Sequence, residues 1–178
     1  NNDGKITEAD QEWIYDPTPD FTYGFNIYLE YKNFDFTAFF QGVQGVDIIS
    51  DLKKETDIWA GLNIGFLNKG RRLLDAWSAT NPNSNIPAVS LSDNNNEKRV
   101  SSYWVENGSY LKLRTVQIGY NVPKSFAQKL AMERLRFYLS AQNLFTVKSS
   151  SFTGVDPENP NYGYPIPLNI TFGLNVTF

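Results

Sequence analysis

Leu168-Asn169-Ile170-Thr171-Phe172-Gly173-Leu174-Asn175-Val176-Thr177-Phe178 decides how the chain is read. Leu168, Ile170, Phe172, Leu174, Val176 and Phe178 share one parity, and Asn169, Thr171, Gly173, Asn175 and Thr177 share the other. A strand has a side-chain period of two, so one face is wholly apolar and the other small or polar. Neither face carries a charge. A soluble sandwich strand buries such an apolar face, whereas a transmembrane barrel strand turns it to lipid and keeps the polar face for the lumen. The stretch is also as long as the roughly 9–11 residues a tilted strand needs to cross the hydrocarbon layer. Taken alone, this segment fits both.

Upstream, the same alternation returns. Phe21, Tyr23, Phe25, Ile27, Leu29 and Tyr31 oppose Thr22, Gly24, Asn26, Tyr28 and Glu30. After the two-residue turn Lys32-Asn33, Phe34, Phe36, Ala38 and Phe40 form the next apolar row. Aromatics at strand ends, such as Phe21, Tyr31 and Phe34, suit an interfacial girdle, whereas a sandwich places its aromatics centrally. Two further strands are predicted over 109–121 and 135–142. In the first, Val116, Ile118 and Tyr120 share a parity with Lys112 and Arg114, so both cations must lie above the apolar band or beyond a bulge.

The connections after these five strands run short (Lys32-Asn33), very long (43–108), short (122–133) and long (144–167). A connection of the second length argues against a compact soluble domain but is ordinary for barrel loops, which are long outside and short on the periplasmic side. On that rule the last strand runs downward and residues 1–20 lie outside. Short helical character is predicted at 56–63, 71–77 and 125–132. Five strands cannot close around a sizeable lumen, and an open sheet in lipid leaves unpaired edge groups, so the remaining strands are expected upstream.

Composition narrows the function. The 178 residues include 15% aromatics, no Cys and no His, with a net charge of −3. Without His or Cys, Ser-His triads, thiolate chemistry and His metal sites are excluded. The cations are scattered and form no footprint for nucleic acid. Two carboxylate pairs, Glu55/Asp57 and Asp156/Glu158, could in principle hydrolyse glycosides, but in polar or proline-rich loops such residues are read as solvated charges or turn formers. Trp59, Trp77, Tyr103 and Trp104 are candidate ligand-binding residues that stack on sugars or peptide groups; packing of a folded loop is the competing reading for each.

Asn1-Asn2-Asp3-Gly4-Lys5-Ile6-Thr7-Glu8-Ala9-Asp10 fits the later part of a calcium loop, with Gly4 at the turn. Asn1, Asp3, the Lys5 carbonyl and Asp10 then fall at ligand positions, with the usual first Asp expected just before Asn1. A plain N-D-G turn leading into a capped helical turn is the alternative.

At this point the residues resemble a family. The chain looks like the C-terminal part of a SusC/RagA-type TonB-dependent outer-membrane transporter of Bacteroidetes. The resemblance is carried by Asn2 to Ile6, Asp16 to Gly24, Tyr31 to Asp35 with Phe39 to Gly42, and Trp104 to Leu113. It continues through Ile118-Gly119-Tyr120, Ala141 to Phe145, Tyr164-Pro165 and the final aromatic Phe178. It implies an all-β fold: the last five strands of an antiparallel transmembrane β-barrel, plugged and of about 22 strands, with long extracellular loops. Residues 1–20 would be an extracellular loop with the truncated calcium-type motif, and 21–178 the barrel portion. It further implies import of oligosaccharides or peptides across the bacterial outer membrane, energised by TonB and working with a SusD-like surface lipoprotein. The family's plug and TonB-box segments have no counterpart here. A soluble all-β carbohydrate-binding module is the alternative.

Overall fold

Strand formation follows the alternation almost residue for residue. The computed structural model describes residues 8–57, 68–90, 99–161 and 163–178. Five long strands, β1 (Phe21–Tyr31), β2 (Phe34–Gln44), β5 (Tyr110–Asn121), β6 (Arg134–Lys148) and β7 (Asn169–Thr177), form one antiparallel sheet in the order β1-β2-β5-β6-β7. Two short strands, β3 (Asp47–Ile49) and β4 (Val105–Asn107), pair separately beyond the end of β2 and β5. Sequential neighbours pair throughout, so the sheet is a meander interrupted by one long excursion.

Both short connections lie at one end. At the first, Lys32 adopts a left-handed conformation (φ 54°), and Asn121 N–H donates to the Asn33 carbonyl (2.8 Å), tying one turn to the next strand. The second contains α2 (Lys124–Ala127), followed by a 3-10 turn at Gln128–Leu130, in agreement with the helical character expected at 125–132. The long connections share the opposite end. There α1 runs over Asp51–Asp57, earlier than the 56–63 expected, and residues 58–67 lie outside the described segments. A 3-10 turn occupies Arg71–Asp75, and a second occupies Ser102–Trp104. β6 extends to Lys148, so the second long loop begins at 149 rather than 144.

The two faces of the sheet differ sharply. On the apolar face Phe25 stacks on its register partner Phe40 with centroids 4.6 Å apart, and Phe137 stacks on Phe172 at 6.3 Å. Such cross-strand aromatic pairs are the unit that stabilises a sheet. Yet this face is uncovered: Phe172 is 70% exposed, Ile170 65% and Phe25 44%. The one cluster of buried hydrophobic side chains among the described residues centres on Trp104, away from the sheet. A sandwich core is therefore absent behind the described face, and the soluble alternative loses the burial it needs.

At Arg114 the register slips. Thr115 pairs with Phe39 and Gln142, but Leu113 pairs with Phe40 and Phe145. Beyond this bulge the parity inverts: Leu113 and Leu111 join the apolar face, while Lys112 and Tyr110 turn to the polar one. Of the two positions expected for Lys112 and Arg114, the structure selects the bulge.

On the polar face near the short-turn end, Arg136 of β6 reaches across β5 to Asp35 of β2, donating Nε at 2.9 Å and pairing through Nη2. The strand between can carry no side chain there. A Cβ at Gly119 would sit 2.3 Å from Arg136 Nη2 and 2.5 Å from both Asp35 oxygens. Gly119→Val is expected to break the ion pair and destabilise the sheet by roughly 3–5 kcal/mol, the cost of separating a buried pair. The check is a lowered urea midpoint for the variant, with Gly119→Ala falling between it and the parent.

Candidate functional site

The long-loop end of the sheet carries a dense set of buried charges. The first long connection is knotted around Trp104, which is 2% exposed, packs on Ile49 and Tyr103, and donates its indole N–H to the Arg99 carbonyl (2.9 Å). Tyr103 donates its hydroxyl to Asp57 (2.6 Å), whose carboxylate also receives Arg72 Nε (2.7 Å). Burial, then the bond to Asp57, pushes the Tyr103 phenol well above its usual range, so it remains a donor at any physiological pH. Lys53 bonds the Tyr103 carbonyl (2.9 Å) and pairs with buried Glu106 (3.1 Å). Glu106 in turn accepts from Thr153 N–H (3.0 Å) and Oγ1 (2.6 Å), which joins the first long loop to the second.

A second cluster holds that second loop onto the polar face. Lys112 is fully buried and donates to Asp156 (2.7 Å) and Glu158 (2.5 Å). Tyr110 donates to Glu158 (2.7 Å), Arg114 pairs with the same carboxylate, and Arg114 Nε donates to Gln41 (2.8 Å). The bulge is what aims these groups: without it Lys112 would face the apolar side. An ammonium removed from water is costly unless paired, and two carboxylates meet that need. Burial raises the Glu158 carboxyl, but the bonds from Lys112 and Tyr110 outweigh it and hold the group below the usual carboxylate range.

This arrangement ties loops down; it does not suit acid–base chemistry. Glu158 stays ionised and cannot serve as a general acid, and Asp57 is matched by Arg72 and Tyr103. Of the reading of Asp156 and Glu158 as solvated charges or turn formers, the turn holds, since Asp156 accepts from the Glu158 N–H through its side chain (3.0 Å) and from the Asn159 N–H through its carbonyl (3.0 Å). The solvated charge is corrected, because both carboxylates are anchored by Lys112, the signal for which was the pair of cations that broke the parity of β5. Of the stacking candidates, Trp104 is corrected to a packing residue, since neither indole face is free for a ligand. Tyr103 is half-buried with its hydroxyl committed to Asp57, and it too serves the loop fold. Trp77 remains 48% exposed, with its backbone N–H bonded to the Ile86 carbonyl (2.8 Å). Trp59 lies outside the described residues, as do Asn1, Asp3 and Lys5; Asp10 falls in a 3-10 turn at Glu8–Asp10.

Comparison with known proteins places this geometry. No family model matches the chain. Along its whole length it is 38% identical to TonB-dependent receptor P3 of Formosa agariphila and 27% identical to TonB-dependent receptor SusC of Bacteroides thetaiotaomicron, spanning 18% and 17% of those proteins. Among solved structures, the RagAB peptide transporter superposes with a TM-score of 0.77 at 27% identity, over 99% of this chain and 20% of that one. An open-open state of the RagAB peptide importer superposes with a TM-score of 0.75. These likenesses define a class, that of TonB-dependent receptors. Within it, the chain is similar along its whole length to SusC and to RagAB, and it spans less than a fifth of the length of the curated relatives named here.

Two outcomes follow from the Lys112 cluster. Lys112→Ala leaves Asp156 without its cation and Glu158 with Arg114 alone, at a cost of roughly 3–5 kcal/mol, and exposes the 149–168 loop to limited proteolysis. Glu158 titrates lower folded than unfolded, so its contribution is complete above the ordinary carboxylate range and disappears as pH falls through its depressed folded value. Cleavage of the loop should therefore rise only in acid, and Glu158→Gln should abolish that pH dependence.

Proposed function

We propose that this sheet is a stretch of the wall, the last five strands, of a closed and plugged barrel of about 22 strands in the bacterial outer membrane. The barrel imports oligosaccharides or peptides, is driven by TonB, and works with a SusD-like surface lipoprotein. One observation carries the reading: on every one of the five strands the apolar face keeps large side chains exposed, among them Leu29, Phe34, Ile118, Leu139 and Phe172, while Asp35, Lys112, Arg114 and Arg136 lie on the opposite face or at the bulge. Lipid accepts such a face and water does not. Closure supplies partners for the free edges of β1 and β7, which no open sheet in a bilayer can leave unsatisfied. Likeness to SusC and to RagAB supports transport rather than catalysis.

On this reading the long-loop end faces outward, and the buried ion pairs give the outer rim a fixed shape for a lipoprotein or a substrate to meet. Trp77 offers an exposed ring on that side for a sugar or peptide group. The soluble binding-module alternative is not favoured, because it needs the apolar face buried. The calcium reading of Asn1, Asp3, Lys5 and Asp10 is proposed on the motif alone; calcium titration of the full-length protein with and without Asp3→Ala tests it.

Phe172→Lys in the full-length transporter places a charge on the lipid face near mid-strand, at about 2–4 kcal/mol. Assembly into the outer membrane, followed by heat-modifiable mobility on gels, should fail. Thr171→Lys, one residue away on the polar face, should assemble. Normal insertion of Phe172→Lys overturns the proposal.

A further inference from the structure

The short connection between β5 and β6 is longer than a turn requires, and it does more than reverse the chain. Pro123 opens a helical turn in which Phe126 and Ala127 N–H both bond the Pro123 carbonyl (2.9 and 3.1 Å). Ala131 closes it in the left-handed conformation (φ 56°), and Met132 N–H returns to the Ala127 carbonyl (3.0 Å). The inner side of this turn is dry, since Ala127 is fully buried and α2 packs against β6. Leu135 shows where it sits. It belongs to the apolar row with Phe137 and Leu139, yet it is 8% exposed where they are 37% and 48% exposed. The turn therefore folds over the end of the apolar face.

Its outer side is left with an unusual combination. Phe126 and Leu130, one helical turn apart, are 62% and 59% exposed. Lys124 and Lys129 are exposed beside them, and the Lys129 ammonium stands 5.3 Å from the Phe126 ring centroid. Large apolar groups flanked by lysines, contiguous with an apolar sheet face, match the boundary between acyl chains and anionic headgroups.

We propose that the helical turn at 123–130 is an interfacial lipid anchor. Phe126 and Leu130 seat at the headgroup–acyl boundary of the leaflet at the short-turn end, and Lys124 and Lys129 contact the phosphates of anionic phospholipid. The anchor rests on the outer-membrane reading above. It fixes the depth of β5 and β6 in the bilayer, level with the exposed Tyr31 and Phe34 that flank Lys32 at the neighbouring two-residue turn.

The test uses the full-length transporter, free of other reactive cysteines, in vesicles of phosphatidylethanolamine and phosphatidylglycerol. A spin label is attached in turn after Phe126→Cys, Phe172→Cys and Thr80→Cys, and collision with oxygen and with a water-soluble nickel chelate is measured. The label at 172 should be shielded from nickel, that at 80 fully accessible, and that at 126 shielded by about three-fold relative to 80. Lys124→Glu with Lys129→Glu should restore nickel access at 126 in these vesicles and leave it unchanged in pure phosphatidylcholine. Water-like access at 126 with shielding at 172 overturns the anchor alone, and water-like access at both overturns the membrane reading itself. A label at 126 that ignores the double charge reversal overturns the phosphate contact.

Discussion

Every feature of this sheet depends on keeping side chains sorted by parity. In a strand the direction of each side chain is set by the one before it, so a single unmatched residue reverses all that follow. That constraint holds from Phe21 to Phe40 and from Leu135 to Ala141 without exception for the apolar row. At Arg114 it is deliberately broken. The slip between Leu113 and Thr115 puts Leu113 and Leu111 back among apolar neighbours and delivers Lys112 to the polar side. One extra residue thus preserves the apolar face and creates the buried charge cluster.

The two ends of the sheet solve different problems with similar chemistry. Near the short turns, Asp35 and Arg136 span three strands above Gly119, and they stiffen the sheet where only brief connections hold it. At the other end, Lys112 with Asp156 and Glu158, and Lys53 with Glu106, hold two long loops against the strands and against each other. Pairs of this kind contribute little when compared with well-packed apolar residues, but breaking one of them is costly. They therefore act as specificity devices: each loop has one seat in which its charges are matched.

Much of this was legible before any fold was seen. The five long strands, their shared apolar face and the alternation of short and long connections follow from local periodicity, whereas the cations that violate it near Lys112 fitted either a bulge or a place above the apolar band until the register decided. The quoted motifs, spread from Asn2 to Phe178, pointed to the SusC/RagA family. The roles of particular loop residues were less accessible. Trp104 and Trp77 look alike in sequence, as aromatic residues in polar surroundings, yet one is buried beneath Tyr103 and Ile49 and the other stands in the open.

The sequence by itself determined which faces the strands present and how the chain alternates between brief and extended connections, because side-chain period is a property of neighbouring residues. Tertiary structure alone decided that Asp156 and Glu158 neutralise Lys112, that Glu106 holds Thr153, and that Arg136 finds Asp35. Those partners are 44, 46, 47 and 101 residues apart along the chain. Their pairing is set by the order and register of strands, which no local pattern encodes.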